Sequence, residues 1–347
     1  MRSFILRNAS RLYKSLWKLE SGFFRSFPFL QYQPSMPVIS VGNLTVGGTG
    51  KTPLLMALLE ELVPTFRVTV LTRGYRSPWE RSFYLLQGPG PHPAELTDET
   101  LLVHHRFPQV AILVGKNRFH SARRAERWLK PEFLLLDDGF QYRRLKQGIR
   151  LLLWDATDDP HLARLLPAGR LREPLERLRE ASAIILTRTE LVSPELLSER
   201  SHWLNQIAPA VPQIRTRFQP QPLHLWNERQ PARITEKTRL LPFAAIARPE
   251  HFLTNLCTLG HTLVEPRFFR DHHRFTAQDL DAIATAAKAT GSEPVCTEKD
   301  LVKIPESWAQ KNRLLVFSVR LQVEEGASSL VQALAQAGIP LQPTPAR

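Results

Sequence analysis

Leu12, Leu16, Leu19 and Phe23 recur at i, i+4, i+7 and i+11, which places them on one face of a helix. Basic and aromatic residues interleave around them. Arg2, Arg7, Arg11, Lys14, Lys18 and Arg25 alternate with Phe4, Tyr13, Trp17, Phe24, Phe27 and Phe29, and Glu20 is the one acid before residue 31. A basic, aromatic amphipathic helix fits an interfacial membrane anchor. It fits equally a helix whose apolar face packs on the protein's own core. The stretch lacks both the roughly 20 apolar residues of a spanning helix and the apolar centre of an export signal.

From Pro37 the pattern changes to short apolar runs alternating with helical periods. Residues 37–41, 67–71, 110–114, 133–136, 151–154 and 183–186 are apolar runs without period-two alternation, as strands buried on both faces of a parallel sheet are. A Gly-rich turn and a helix over 51–62 follow the first run. Strand alternating with helix predicts an α/β class, P-loop NTPase-like, with a doubly wound, mainly parallel sheet. Around 209–238 the composition shifts to Pro, Gln and Arg and reads as a domain connection. A second, smaller α/β series starts near 241. Its helix over 277–290 is capped by Thr276 with Asp279 at the third position and closed by Gly291. The organisation expected is an N-terminal membrane-associating helix over 1–30, a core α/β domain over 31–215 and a smaller domain over 216–347.

Composition narrows the class. With 43% hydrophobic and 23% charged residues, the 347-residue chain is neither disordered nor multi-spanning. A formal net charge of +13 implies an anionic partner: nucleic acid, nucleotide or an anionic membrane surface. Cys257 and Cys296, far apart and without zinc-type spacing, read as reduced core residues.

The chemistry begins at Thr45-Val46-Gly47-Gly48-Thr49-Gly50-Lys51-Thr52, between the first strand and the first helix. Loop amides and a helix N-terminus at that place cradle phosphate oxygens, Lys51 reaches the β- and γ-phosphates, and Thr52 holds Mg²⁺. Thr45 stands where the strict motif has Gly. Such a site needs an acid at the end of a buried strand, and Asp137-Asp138 follow 133–136. Asp155, after 151–154, is a rival; the tight Gly139-Phe140-Gln141 loop favours Asp137-Asp138. Taken alone, Asp98-Glu99 reads as a helix N-terminal pair. Asp271-His272-His273 reads as a metal site, an acid–base relay or a solvated loop. The loop from Leu166 to Pro174 carries arginines suited to a phosphate clamp or to a surface ion pair.

Taken in order, these segments resemble one family, the tetraacyldisaccharide 4′-kinases of lipid A synthesis. The resemblance runs over about 38–303. It rests on Val41 to Pro53, Thr72-Arg73-Gly74-Tyr75, Asp137 to Gln141, Leu166-Pro167-Ala168-Gly169 with Leu171-Arg172-Glu173-Pro174, Asp271-His272, and Thr297-Glu298-Lys299-Asp300. It implies ATP and Mg²⁺ as cofactors and transfer of the γ-phosphate to the 4′-hydroxyl of an acylated disaccharide 1-phosphate. It places the enzyme against an anionic membrane, at the cytoplasmic face of the bacterial inner membrane. It implies Asp98 as catalytic acid with His272 as its partner, and Lys51 and Arg172 as cations for the transferring phosphoryl group. Residues 45–52 would bind the nucleotide, and Thr52, Asp137 and Asp138 would surround the metal. Two departures stand out. Thr97-Asp98-Glu99-Thr100 replaces Gly-Asp-Glu-Pro, and Ala245-Ile246-Ala247-Arg248-Pro249 lacks two glycines. Neither a nucleic-acid nor an obligate protein partner is expected. The alternatives are a P-loop kinase with a soluble acceptor and a basic nucleic-acid-binding NTPase, for which no recognition helix or stacking aromatics are seen.

Overall fold

The apolar runs that lack alternation become buried strands. The computed structural model describes residues 2–88, 93, 95–228, 231–235, 238–336 and 338. The chain divides into two compact units: Met1–Glu95 with Phe107–Phe218 and Leu321–Arg347, and Leu96–Arg106 with Gln219–Arg320. Two segments therefore lie away from their sequence neighbours, the helix opening at Asp98 in the second unit and the last strand and helix mostly in the first.

The first unit is built on strands β1 (Val38–Asn43), β2 (Val68–Thr72), β3 (Tyr84–Leu86), β4 (Ala111–Val114), β5 (Phe133–Asp137), β6 (Ile149–Asp155), β7 (Ala183–Thr187), β8 (Gln213–Pro220) and β15 (Val319–Glu325). They run in the order β15-β8-β7-β6-β1-β5-β2-β4-β3. From β8 to β4 every neighbouring pair is parallel, and β3 closes one edge antiparallel. Every residue of β1 is buried. The chain runs from β1 to β2 on one side and from β5 back to β6 on the other, so β1 sits where the winding reverses. Ligands bind at such a place in open α/β sheets. This is the mainly parallel, P-loop-type sheet expected. Helices α1 (Arg2–Ser26), α2 (Lys51–Leu62), α4 (Arg118–Arg124), α5 (Pro194–Ile207) and α10 (Ala327–Gln336) complete the unit.

The described residues of the second unit form six strands: β9 (His224–Leu225), β10 (Arg239–Ala244), β11 (Thr262–Leu263), β12 (Arg267–Phe268), β13 (Ser292–Thr297) and β14 (Leu315–Phe317). Their order is β11-β10-β13-β14-β9, with β12 also pairing β10. Its helices are α3 (Asp98–Arg106), α6 (Pro249–Thr258), α7 (Ala277–Thr290), α8 (Glu298–Leu301) and α9 (Glu306–Lys311). The capping box at α7 forms as read from the sequence, with Thr276 and Asp279 each accepting the other's backbone N–H and Gly291 closing the helix in the left-handed region.

Two local expectations differ. The stretch taken as a connection contains β8, which buries Ile214, Thr216 and Phe218 in alternation. Arginines and glutamines at the intervening positions complete a period of two, and the polar Thr216 at a buried position weakens its apolar half. Cys296 is buried, but Cys257 on α6 is exposed and is not a core residue.

Helix α1 does not pack its apolar face on the protein's own core. Its apolar stripe is the exposed side: Leu12 is 63% exposed, Leu16 58%, Leu19 72% and Phe23 49%. The side facing the first unit is the polar one, where Ser10, Tyr13, Trp17 and Ser21 all hydrogen-bond to residues between Arg143 and Glu173. No described helix is long and apolar enough to cross a membrane.

Gly42 shows how closely the site is packed. A Cβ there would lie 2.6 Å from Phe140 Cβ and 3.1 Å from its backbone nitrogen. Backbone cannot retreat as a side-chain tip can, so Gly42→Ala is expected to destabilise the protein by about 1–3 kcal/mol. A urea midpoint unchanged by the substitution would show that the Phe140 loop yields freely.

Candidate active site

The phosphate loop leaves β1 at Asn43 and enters α2 at Lys51. Gly50 is the helix N-cap at φ +93°, a conformation open to glycine. The loop is tied down from both ends: Thr187 Oγ1 donates to Thr49 O at 2.9 Å, and Val46 N donates to Arg170 O at 2.8 Å. Arg170 also spans the loop, donating from Nη2 to Val46 O and from Nη1 to Asp158. Thr45, the residue outside the strict motif, is buried and receives Asn43 Nδ2 on its carbonyl at 2.8 Å.

Three charged groups meet beside this loop. Arg172 donates from both Nη atoms to the two oxygens of Asp138, each at 2.9 Å, and Lys51 Nζ lies 3.6 Å from the same carboxylate. Asn43 joins them, its Oδ1 accepting from Lys51 Nζ at 3.0 Å and from Arg172 Nη2. Burial would push the Asp138 carboxyl up, but the Arg172 hydrogen bonds and the Lys51 charge hold it far below the carboxylate range. Burial works against the Arg172 charge, and Asp138 more than offsets it. Asp137, the last residue of β5, accepts from Thr72 Oγ1 at 3.1 Å. The rival Asp155 is committed elsewhere, accepting from Thr157 and pairing with Arg188.

The second unit gathers a different set. Asp98 opens α3 and is buried. His272 Nδ1 donates to Asp98 Oδ2 at 3.1 Å, and Lys303 Nζ stands 3.5 Å from that same oxygen. Lys303 also pairs with the fully buried Asp300 at 2.6 Å. Glu99 pairs with Lys299 at 2.7 Å. Burial raises the Asp98 carboxyl, yet the His272 hydrogen bond and the lysine charges bring it below its ordinary value. The same hydrogen bond raises His272. The trio after Phe269 thus splits: His273 stacks on Phe269 and donates to Asp279 at the cap of α7, whereas His272 turns to Asp98.

The sequence profile of the tetraacyldisaccharide-1-P 4′-kinase family matches residues 2–337. The chain belongs to this family. It is 37% identical to the tetraacyldisaccharide 4′-kinase of Anaeromyxobacter dehalogenans (strain 2CP-C) over 307 residues, 86% of this chain and 81% of the relative. With the enzyme of the same name from Bdellovibrio bacteriovorus it shares 31% over 334 residues, 94% and 95% of the two chains. The crystal structure of LpxK from Aquifex aeolicus in complex with ATP is similar at a TM-score of 0.76 and 26% identity, covering 97% of this chain and 99% of that one.

Within this family member, the fold adds Asn43 and Lys303 to the residues singled out by the sequence, and it gives Ala245 a part in the site. Asn43 is a small amide on a strand with no motif role of its own, and only the fold brings it to Lys51 and Arg172. Lys303 lies one helical turn after Asp300, a spacing that could have signalled the pair. The Ala245 backbone ties the cluster together, donating its N–H to Asp300 Oδ2 at 3.2 Å and accepting from His272 N at 3.1 Å. His272 itself sits at φ +62°. The Ala-Ile-Ala departure therefore keeps the backbone groups that hold His272.

The pair has a readable titration. Because His272 is raised, its contribution to stability is complete below the ordinary histidine pKa and is lost as pH climbs through the raised one. Because Asp98 is lowered, its contribution is present above the ordinary carboxylate range and is lost as pH falls through the lowered value. Asp98→Asn should return the His272 ring toward its ordinary pKa in a ¹H–¹⁵N titration. A His272 titration indifferent to that change would contradict the pairing.

Proposed function

We propose that this protein transfers the γ-phosphate of ATP to the 4′-hydroxyl of a tetraacyldisaccharide 1-phosphate at a membrane surface. The observation that carries the reading is the convergence of Lys51 and Arg172 on Asp138 beside a phosphate loop, in a chain of this family. The residues suit a polyphosphate. Two cations share one carboxylate and leave a surplus positive charge. Thr49 Oγ1 and Arg172 Nε are buried without a hydrogen-bond partner. A Cβ on Gly48 would meet only open space.

Bound Mg²⁺ would screen the phosphate charge and act as an electrophile on its oxygens. Thr52, Asp137 and Asp138 are the groups on this chain that would hold it. Among the described residues no cluster of three or more His, Cys, Asp or Glu could hold a metal alone, which suits an ion shared with phosphate oxygens. Lys51 and Arg172 stabilise the charge that spreads over the transferring group. Asn43 keeps both cations on one side when they let go of Asp138.

Asp98 serves the acceptor hydroxyl. Its Oδ2 is taken by His272 and Lys303, so Oδ1 is assigned to the hydroxyl. A low carboxyl pKa keeps Asp98 ionised at neutral pH, and a loose transition state asks it to orient the hydroxyl before it takes the proton. His272, as donor to Oδ2, fixes the carboxylate's plane.

The exposed leucines of α1 give the membrane reading. Burying a leucine side chain fully is worth about 1.5–3 kcal/mol, and each basic residue near an anionic surface adds about 1 kcal/mol. We place the enzyme peripherally on the leaflet that faces cytoplasmic ATP.

The deciding assay is transfer of ³²P from γ-labelled ATP to a purified tetraacyldisaccharide 1-phosphate in mixed micelles. Lys51→Ala is expected to lower turnover about 10²–10³-fold. Asp98→Ala should lower it about 10²-fold or more, with ATP affinity little changed. Unlabelled lipid from protein that still binds ATP would point to a soluble acceptor. A second measurement concerns α1. Leu16→Glu combined with Leu19→Glu should release the protein from anionic vesicles in sedimentation, and unchanged sedimentation would remove this helix from the membrane reading.

A further inference from the structure

The loop that carries Arg172 is gripped from two sides. Toward the phosphate loop, Arg172 N donates to Leu44 O at 2.7 Å and Arg170 O accepts from Val46 N at 2.8 Å. Toward α1, Tyr13 Oη donates to Arg172 O at 2.6 Å and Trp17 Nε1 donates to Glu173 Oε1 at 3.1 Å. Ser10 extends the grip, donating to Leu165 O at 2.8 Å and accepting from Ala168 N at 3.1 Å. Both backbone groups of Arg172 are therefore fixed, its N–H by Leu44 just past β1 and its C=O by α1. With the peptide planes on either side of its Cα held, the direction in which the guanidinium leaves the backbone is held as well.

Glu173 shows that this contact is built rather than incidental. It is 4% exposed, and besides Trp17 it faces Arg177 at 3.6 Å and Arg143 at 3.8 Å. Arg143 lies over the Trp17 ring at 5.0 Å and donates to Ser21. Ser10, Tyr13, Trp17 and Ser21 recur at i, i+3, i+7 and i+11, one face of α1, while Leu12, Leu16, Leu19 and Phe23 lie on its other side.

We propose that Tyr13 and Trp17 are positioning residues for Arg172, so that the helix presenting the exposed leucines also sets the geometry of the phosphate-side cation. One helix then serves two ends, a lipid surface through its leucines and the transfer site through its phenol and indole. The proposal rests on the reading of Arg172 as a cation for the transferring phosphoryl group.

The test uses the full chain and conservative variants. Tyr13→Phe removes one hydrogen bond and keeps the ring, Trp17→Phe removes the indole N–H and leaves a smaller aromatic ring, and each is made alone and in an Arg172→Ala background. Four quantities are measured for every variant: kcat with KM for ATP and for lipid in mixed micelles, affinity for a fluorescent ATP analogue, sedimentation with phosphatidylglycerol-containing vesicles, and urea midpoint. Tyr13→Phe is expected to lower kcat about fivefold to tenfold, the size of one hydrogen bond, with KM for lipid and vesicle binding within twofold of the parent. In the Arg172→Ala background the same substitution should add nothing further. A full, additive loss in that background would overturn the inference, because the effect would not pass through Arg172. Parent-like kcat in both single ring variants, with Arg172→Ala impaired, would overturn it while leaving the Arg172 reading intact. Parent-like turnover of Arg172→Ala itself would bring down that reading and the inference with it.

Discussion

One carboxylate organises the nucleotide half of this protein. Asp138 stands just beyond a strand buried on both faces, and it is balanced by a bidentate arginine and a nearby lysine. A half-buried carboxylate without those partners would carry a heavy desolvation cost; with them it stays ionised. The same arrangement keeps two cations, which would otherwise repel, on one side of the phosphate loop. Asn43 completes it with a neutral amide whose oxygen accepts from both. Gly42, next to it, allows the Phe140 loop to approach closely enough for the whole set to close.

The second unit resolves a comparable problem with more charges. His272, Asp98, Lys303 and Asp300 form one chain of contacts in which basic and acidic groups alternate, and the innermost member, Asp300, is fully buried. Asp300 also accepts from Thr297 Oγ1 and from the Ala245 backbone. A buried ion pair is tolerable when remaining lone pairs are satisfied in this way. The consequence for Asp98 is that two of its neighbours converge on a single oxygen. That asymmetry is what makes a directional role for the other oxygen chemically reasonable.

Helix α1 runs against the usual arrangement of a surface helix. It turns Ser10, Tyr13, Trp17 and Ser21 to the protein and Leu12, Leu16 and Leu19 outward. In water alone this orientation wastes apolar burial. The membrane contact proposed for this helix would cover those leucines, while its other side holds a loop by directed hydrogen bonds.

The sequence by itself determined the sheet and the phosphate loop. Apolar runs of four or five residues bounded by turn residues suit strands buried on both faces, and Gly-rich sequence ending in Lys51-Thr52 suits a phosphate loop between a strand and a helix. The capping of α7 by Thr276 and Asp279 was legible for the same local reason. Strand β8 was less so, because one of its buried positions is the polar Thr216, which leaves only Ile214 and Phe218 to mark the apolar half of its period of two. What only the tertiary structure decided is which residues meet across long stretches of chain. Asp98 and His272 are 174 positions apart, and Tyr13 and Arg172 are 159 apart. No period or spacing records such a meeting, since a chain's local preferences set its elements while packing of those elements sets the pairs. The facing of α1 was undecidable for the same reason: an amphipathic pattern fixes that a helix has two sides, and only its neighbours choose which one looks outward.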